Sequence, residues 1–321
     1  MSAPVGLVVN PRSHTVLRKG SVLEAAARNM PDAALVRFDS VGQLESQMAG
    51  LALQGVRQVY VEGGDGTLQA VLTASLAPRT GFDVLPDFAI LPGGSTNLAY
   101  KVFGLKLKTP EAALDYIQQR VRHGQRLATV RHQALVIDSA SLANPAIGFL
   151  LSTGSLARAM VYTQQELHGE GHRGSLAIAG ALARLMVWPS RHLGQDGEPL
   201  LRPSPLTATS SHFRVEGDHA LSLMTTLPTL SLRLRPYWGE RTAPIAFTHA
   251  SWPIRGLHAA LLKVMTGQAG RHMIRHGLVS HRVDGVRLEY KGPVMLDGEI
   301  LPVPEDGLFT VSVTPPIRFM R

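Results

Sequence analysis

Val61-Glu62-Gly63-Gly64-Asp65-Gly66-Thr67 opens on the last residue of the β-branched run Arg57–Val61 (RQVYV), and this junction decides the fold. Three glycines within four residues after a strand signal make a turn whose backbone N–H groups can approach phosphate oxygens. The helix that follows adds the positive end of its dipole. A second glycine turn, Pro92-Gly93-Gly94-Ser95-Thr96-Asn97, closes the apolar run Phe88–Pro92 (FAILP), and a first run, Val5–Val9 (VGLVV), ends at Asn10-Pro11. Continuous apolar strands separated by helical patterns predict a parallel sheet covered on both faces. In such a sheet ligands bind where the carboxyl ends of the strands gather, so both glycine turns are expected at one crevice.

The choice of phosphate site rests on Asp65. No Gly-Lys-Ser/Thr completes a Walker loop, and Gln69 stands where a dinucleotide fingerprint needs its third glycine. A bare carboxylate beside a pyrophosphate repels it, whereas a divalent cation binds carboxylate and phosphate together. Asp65 therefore points to a nucleoside triphosphate with Mg²⁺. Its other reading is a helix N-cap, which needs no metal.

Beyond the turns, 321 residues exceed the usual span of one core and predict two domains. Hydrophobic content of 45% and charged content of 17% describe an ordinary globular chain. With no cysteine, disulfides, thiol catalysis and thiolate zinc sites are excluded, and a cytoplasmic address is compatible. The opening MSAPVGLVVNP lacks a basic region before its apolar run and reads as a strand, not a signal peptide. The longest apolar run, Ser175–Trp188, is broken by Arg184 and falls short of the roughly 18 residues of a membrane span. A net charge of +8 favours an anionic ligand or surface, but its scattered arginines form no polybasic block and suit solubility equally.

Thr109, Pro110 and Glu111 open the clearest helix, with Leu114, Ile117 and Val121 on one face and Gly124 as its stop. After Gly124 the pattern becomes strand upon strand: Leu127–Asp138, Ala146–Gly154, His212–Gly217, Ala220–Leu227, Leu230–Pro236 and Pro244–Ala250. Helical patterns interrupt them near residues 156–168, 175–187 and 255–264. An antiparallel, sandwich-like second domain is expected, with a boundary near Gly124–Ala128. Late in the chain, Asp297-Gly298-Glu299 ends a β run. Alone it reads as an exposed hairpin turn; beside a nucleotide site it offers the carboxylate that phosphoryl transfer to an alcohol requires.

These residues together resemble the diacylglycerol kinase catalytic family, whose superfamily includes sphingosine and ceramide kinases and, more distantly, NAD kinases. The resemblance runs nearly the length of the chain: VVNPRS, VEGGDGTLQAVL, ILPGGSTNLAYKVFGL, IGFLLSTGSLARAM, and DGE followed by FTVSVTPP. It implies a Rossmann-like α/β domain that binds ATP, an antiparallel β-sandwich-like domain for a lipid substrate, and an active site in the cleft between them. The first domain is expected over 1–127 with a returning segment 306–321, and the second over 128–305. By motif position, Gly63, Gly64, Asp65, Gly66 and Thr67 would hold nucleotide phosphates and magnesium, with Asp65 the metal ligand. Gly94, Ser95, Asn97 and Asn10 complete the nucleotide site. Glu299 corresponds to the general base, with Asp297 its acidic neighbour. The family's Asn-Asp-Phe-Ala-Arg run is replaced by Asn97–Lys101 (NLAYK), and no Asp-Gly-x-Leu-Asp element accompanies it in the second half, which puts a structural second metal in doubt.

The function implied is an ATP- and Mg²⁺-dependent lipid kinase with peripheral contact at the inner face of a membrane and no nucleic-acid partner. Rival readings are a kinase of a soluble acceptor such as NAD, a non-catalytic lipid-binding regulator, and a serine hydrolase built on Ser95. Two histidine-rich stretches stand apart: His168–His172 (HGEGH) reads as a loop before it reads as a metal site. Arg271–Arg282 (RHMIRHGLVSHR) reads as solvated surface, or as a contact for anionic membrane.

Overall fold

The computed structural model describes residues 4–30, 32–94, 97–105, 110–122, 128–170, 193–194, 197–230 and 233–321. The chain divides into two units, Met1–Gln133 with Pro315–Arg321, and Ala134–Thr314. In the first unit the strands β1 (Val5–Val9), β2 (Ala33–Arg37), β3 (Gln58–Gly63), β4 (Asp87–Pro92) and β5 (Thr129–His132) alternate with helices α1 (His14–Lys19), α2 (Val22–Ala27), α3 (Val41–Leu53), α4 (Asp65–Leu76), α5 (Leu98–Phe103) and α6 (Pro110–Arg122).

The first sheet has the order β2-β1-β3-β4, extended by the chain's last strand, Ile317–Met320, and then β5. All neighbours are parallel except the last strand with β5. Every residue of β1 is buried, as are Val59–Gly63 of β3 and Phe88–Leu91 of β4. Strands hidden on both faces are what the unbroken apolar runs dictate. Leu7, Val8 and Val9 are 0% exposed, and full burial of each such side chain stabilises by roughly 1.5–3 kcal/mol. One core forms where Leu7, Tyr60, Ala89 and Met320 from the sheet meet Leu23, Ala26 and Ile117 from α2 and α6.

The second unit begins with β6 (Leu135–Asp138), β7 (Ala146–Gly148) and β8 (Leu150–Thr153), then α7 (Gly154–Glu170). It continues with β9 (Ser204–Thr209), β10 (Arg214–Thr225), β11 (Ile245–Ser251), α8 (Leu257–Met265), a 3-10 turn (Arg271–His276) and β12 (Leu278–Val283). Strands β13 (Val286–Glu289), β14 (Val294–Leu296), β15 (Glu299–Leu301) and β16 (Leu308–Val313) complete it, and Ile317–Met320 is β17. The eleven strands β6–β16 form one antiparallel sheet. Each contributes to a single core that includes Ile137, Leu151, Leu206, Met224, Phe247, Val283, Leu288, Leu296 and Phe309.

Several boundaries differ from the sequence expectation. Leu308–Val313 does not return to the first sheet: it pairs with β6 and β13, and the chain re-enters the first unit only at Pro315. Thr129–His132 stays in the first unit because it closes the sheet edge against β17. His212–Gly217 and Ala220–Leu227 merge into the long β10, whose register against β11 shifts between His219 and Leu221. The alternation of Leu230–Pro236 yields no strand over residues 233–236, where Arg233 takes a left-handed φ of 58°. The apolar stretch 175–187, the stop at Gly124 and the HGEGH histidines lie outside the described residues or side chains.

Candidate active site

The parallel register of β3 and β4 sets Gly63 opposite Pro92, so the two glycine turns leave the sheet side by side. Gly93 N–H donates to the Gly63 carbonyl at 2.8 Å. A Cβ on Gly93 would stand 2.6 Å from the Gly63 Cα, and one on Gly94 only 2.4 Å from the Gly64 Cα. Glycine is required here because two backbones pass in direct contact, leaving no volume for side chains. Past Gly64 the chain enters α4, with Gly66 in its first turn and Thr67 buried.

Both carboxylates of VEGGDGT are engaged. Glu62, buried at the end of β3, accepts from Ser21 Oγ at 2.5 Å and from the N–H groups of Val22 and Leu23 at 3.0 Å. It therefore closes the positive end of α2. Asp65 does the same for α5: its Oδ2 accepts from Leu98 N–H at 2.9 Å and its Oδ1 from Ala99 N–H at 3.0 Å. Burial pushes its carboxyl above the ordinary range, against the downward pull of these two amide bonds and of Lys101. Asp65 is thus a helix-capping residue, but for the helix that follows the other glycine turn.

Two asparagines complete the arrangement. Asn10, at the end of β1, donates through Nδ2 to Thr67 Oγ1 at 2.9 Å, while its Oδ1 accepts from Arg12 N–H at 2.9 Å. Thr15 N–H reaches the Gly93 carbonyl at 2.9 Å, tying the start of α1 to the second turn. Asn97 sits in the left-handed region at φ 48°, accepts from Gly94 N–H at 2.9 Å and donates to the Gly94 carbonyl at 2.6 Å. The ends of β1, β3 and β4 are thereby locked into one hydrogen-bonded rim. Ser95 lies outside the described residues.

In the second unit, Asp297 and Gly298 form a two-residue turn between β14 and β15, with φ of 50° and 95°. Positive φ at both central positions is the twist-matched hairpin geometry. Asp297 accepts from the N–H groups of Phe149 and Leu150, both at 2.9 Å, and returns its own N–H to the Leu150 carbonyl at 2.9 Å. It fastens the hairpin to the start of β8. Glu299, first residue of β15, is exposed.

Sequence reasoning missed Glu62, whose partners lie about forty residues upstream; its position as the last side chain before the glycines was the available signal. It also missed what Asp65 holds. Among the described residues no group of three His, Asp or Glu side chains is arranged to hold a metal ion.

Residues 4–130 match the family described as diacylglycerol kinase catalytic domain. No curated protein matches the chain. Among solved structures, a diacylglycerol kinase from Bacillus anthracis aligns over 99% of this chain and 96% of its own, at 14% identity and a TM-score of 0.62. A further Bacillus anthracis structure reaches a TM-score of 0.65 at 15% identity, over 99% of this chain and 97% of its own. Yeast NADH kinase complexed with NADH aligns over 99% of this chain and 82% of its own, at 9% identity and a TM-score of 0.50. At these identities the structures speak to the fold, a parallel α/β unit followed by an antiparallel one. Residues 4–130, the parallel α/β unit with both glycine turns, are thus similar to the diacylglycerol kinase catalytic domain.

Proposed function

We propose that this kinase transfers the γ-phosphoryl group of ATP to a hydroxyl of a lipid, such as a diacylglycerol or a related glycerolipid or sphingoid lipid. The observation that carries this reading is the paired glycine turns, packed backbone on backbone at the ends of β3 and β4 within the matched domain. Such turns leave N–H groups, and the first turn of α4, to meet phosphate oxygens. Gly63, Gly64, Gly66, Thr67, Gly94, Ser95 and Asn97 are the residues assigned to the nucleotide, with Asn10 bracing Thr67.

Magnesium enters this reading with the substrate, as the magnesium complex of ATP. Asp65 accepts one α5 amide on each oxygen, which leaves one acceptor site per oxygen to face the magnesium of ATP. Its proposed role is to fix the second glycine turn against the first. The proton of the acceptor hydroxyl goes to Glu299, on the strength of its place in the DGE motif and its exposed carboxylate. Asp297 is a positioning residue for that hairpin.

The test is labelled ATP offered against a panel of lipids and soluble acceptors, NAD included. Labelled phospholipid is the expected product. Labelling of a soluble product alone sinks the lipid assignment in favour of an NAD-kinase-like activity. ATP binding without turnover on any acceptor favours a regulatory protein.

A further inference from the structure

We propose that the excursion between β11 and β12, built from α8 and the 3-10 turn, is a docking surface for an anionic lipid bilayer. The two strands pair as neighbours, Ala250 opposite Leu278, so everything between them projects from one end of that hairpin. The excursion holds together: Arg255 N–H donates to the His276 carbonyl, His276 Nδ1 bonds the Arg255 carbonyl at 2.7 Å, and Ser251 N–H donates to the Gly277 carbonyl.

Met273 anchors it in the fold, but several of its other apolar residues are left uncovered. Helix α8 reads Leu-His-Ala-Ala-Leu-Leu-Lys-Val-Met, yet only Ala260 is buried. Leu262 is 63% exposed, Met265 53% and Ile274 60%, and Trp252 stands partly exposed at the base. Scattered exposed leucines are normal on a soluble protein, but several on one short excursion are not.

Charge selects the occupant. Between Ser251 and Leu278 there is no aspartate or glutamate, while Arg255, Lys263, Arg271 and Arg275 are all cationic. Lys263, Arg275 and His276 lie close enough to His272 to act on its charge. Exposed apolar residues and four cations on one segment without carboxylates, with Asp218 beside Trp252 only at its base, suit anionic headgroups above acyl chains. A second copy of the chain is disfavoured, because a symmetric contact would set these cations against themselves. With nine residues, α8 lies on a bilayer and does not cross it; among the described residues no helix is long and apolar enough to do so. The inference is independent of the acceptor that the kinase uses.

Co-sedimentation of the full chain with vesicles, without nucleotide, tests it. Binding is expected to vesicles of phosphatidylcholine mixed with phosphatidylglycerol, weakly to phosphatidylcholine alone, and to fall with salt. The pair Arg271→Glu and Arg275→Glu should weaken the anionic binding roughly tenfold or more. The pair Leu262→Asp and Met265→Asp should weaken binding to both vesicle types, whereas Leu53→Asp on α3, 91% exposed, should leave it unchanged. Circular dichroism establishes that each variant is folded, and the two pairs fail or succeed separately. Absence of wild-type binding, or wild-type binding by both pairs, overturns the proposal. So does a self-association that the Leu262 and Met265 changes abolish while vesicles bind nothing.

Discussion

Asp65 and Leu98, separated by 33 positions in sequence, meet in a 2.9 Å hydrogen bond that joins the start of one helix to the start of another. The aspartate inside the first glycine turn thereby sets where the second turn ends. Its carboxylate covers two N–H groups that α5 cannot satisfy internally. In the proposed nucleotide site the charge of this acid is partly offset by two amide donors, which eases the apparent conflict of an anion inside an anion site.

Asp65→Ala should therefore destabilise the protein even without magnesium or nucleotide. Two amides lose their acceptor, at a cost of about 1–3 kcal/mol. Urea denaturation in chelator reads this directly. Were Asp65 chiefly a metal ligand, its removal in chelator would leave stability unchanged or raised, and the loss would show only when magnesium is present.

The glycine pairs make a graded prediction. A Cβ on Gly94 meets the Gly64 backbone at 2.4 Å, whereas a Cβ on Gly64 meets the Gly94 Cα at 3.0 Å. Gly94→Ala should cost at least about 1–3 kcal/mol as an overpacked contact and lose ATP binding, with Gly64→Ala the milder change. Gly50, inside α3 with nothing within 4 Å of its missing Cβ, is the control. Gly50→Ala should stabilise by about 0.5–1 kcal/mol. Thermal midpoints and nucleotide titration of the three variants check the order.

How much of this was legible in the sequence follows from the range of each interaction. Strands β1, β3 and β4 announced themselves through apolar runs stopped by Asn-Pro or glycine, because burial on both faces demands such runs. Strand β12 did not: His281 and Arg282 made it look like solvated surface, yet it pairs residue by residue with β11. Leu230–Pro236 alternated convincingly, yet residues 233–236 form no strand, because alternation alone does not create a ladder. The glycines and the DGE turn were readable as local geometry. The jobs of Glu62, Asp65 and Asp297 were not, since each bonds amides far away in the chain.

The packed histidines of the second sheet predict acid lability. His219, His249 and His281, on the neighbouring strands β10, β11 and β12, stand with ring centroids 5.1 Å and 5.6 Å apart. Both ring nitrogens of His249 and Nε2 of the other two are buried without hydrogen-bond partners. Burial first, then the charges of His219 and His281, push His249 down to about 3; burial lowers His219 and His281 as well. At His219 the Gly217 carbonyl and Asp218 oppose the shift. The folded state therefore keeps these bases neutral while the unfolded chain protonates below about pH 6.5. Their contribution is intact above that pH and is lost as pH falls, at about 1.4 kcal/mol per unit for His249. Urea midpoints between about pH 7.5 and pH 5 should show a loss of at least about 2 kcal/mol, reduced in His249→Phe. A flat profile for the wild type contradicts the arrangement.

The DGE hairpin separates structure from chemistry at two adjoining carboxylates. Asp297 bonds the amides of Phe149 and Leu150, so Asp297→Ala should cost about 1–3 kcal/mol and lower turnover through a displaced hairpin. Asp297→Asn keeps an acceptor and tolerates the left-handed backbone at φ 50°, so it should recover part of both losses. Glu299 is exposed, and its removal should leave the unfolding curve unchanged. A positioned base contributes roughly 10²–10⁴-fold, so Glu299→Gln should bind ATP normally and lose turnover by about that factor. The loss should fall on kcat at saturating ATP, not on the KM for ATP, because the role proposed for the carboxylate is on the acceptor. Near-normal kcat in Glu299→Gln removes the residue from the reaction. A matching drop in stability would instead make it a second fastening of the hairpin, and the proton would then need another acceptor.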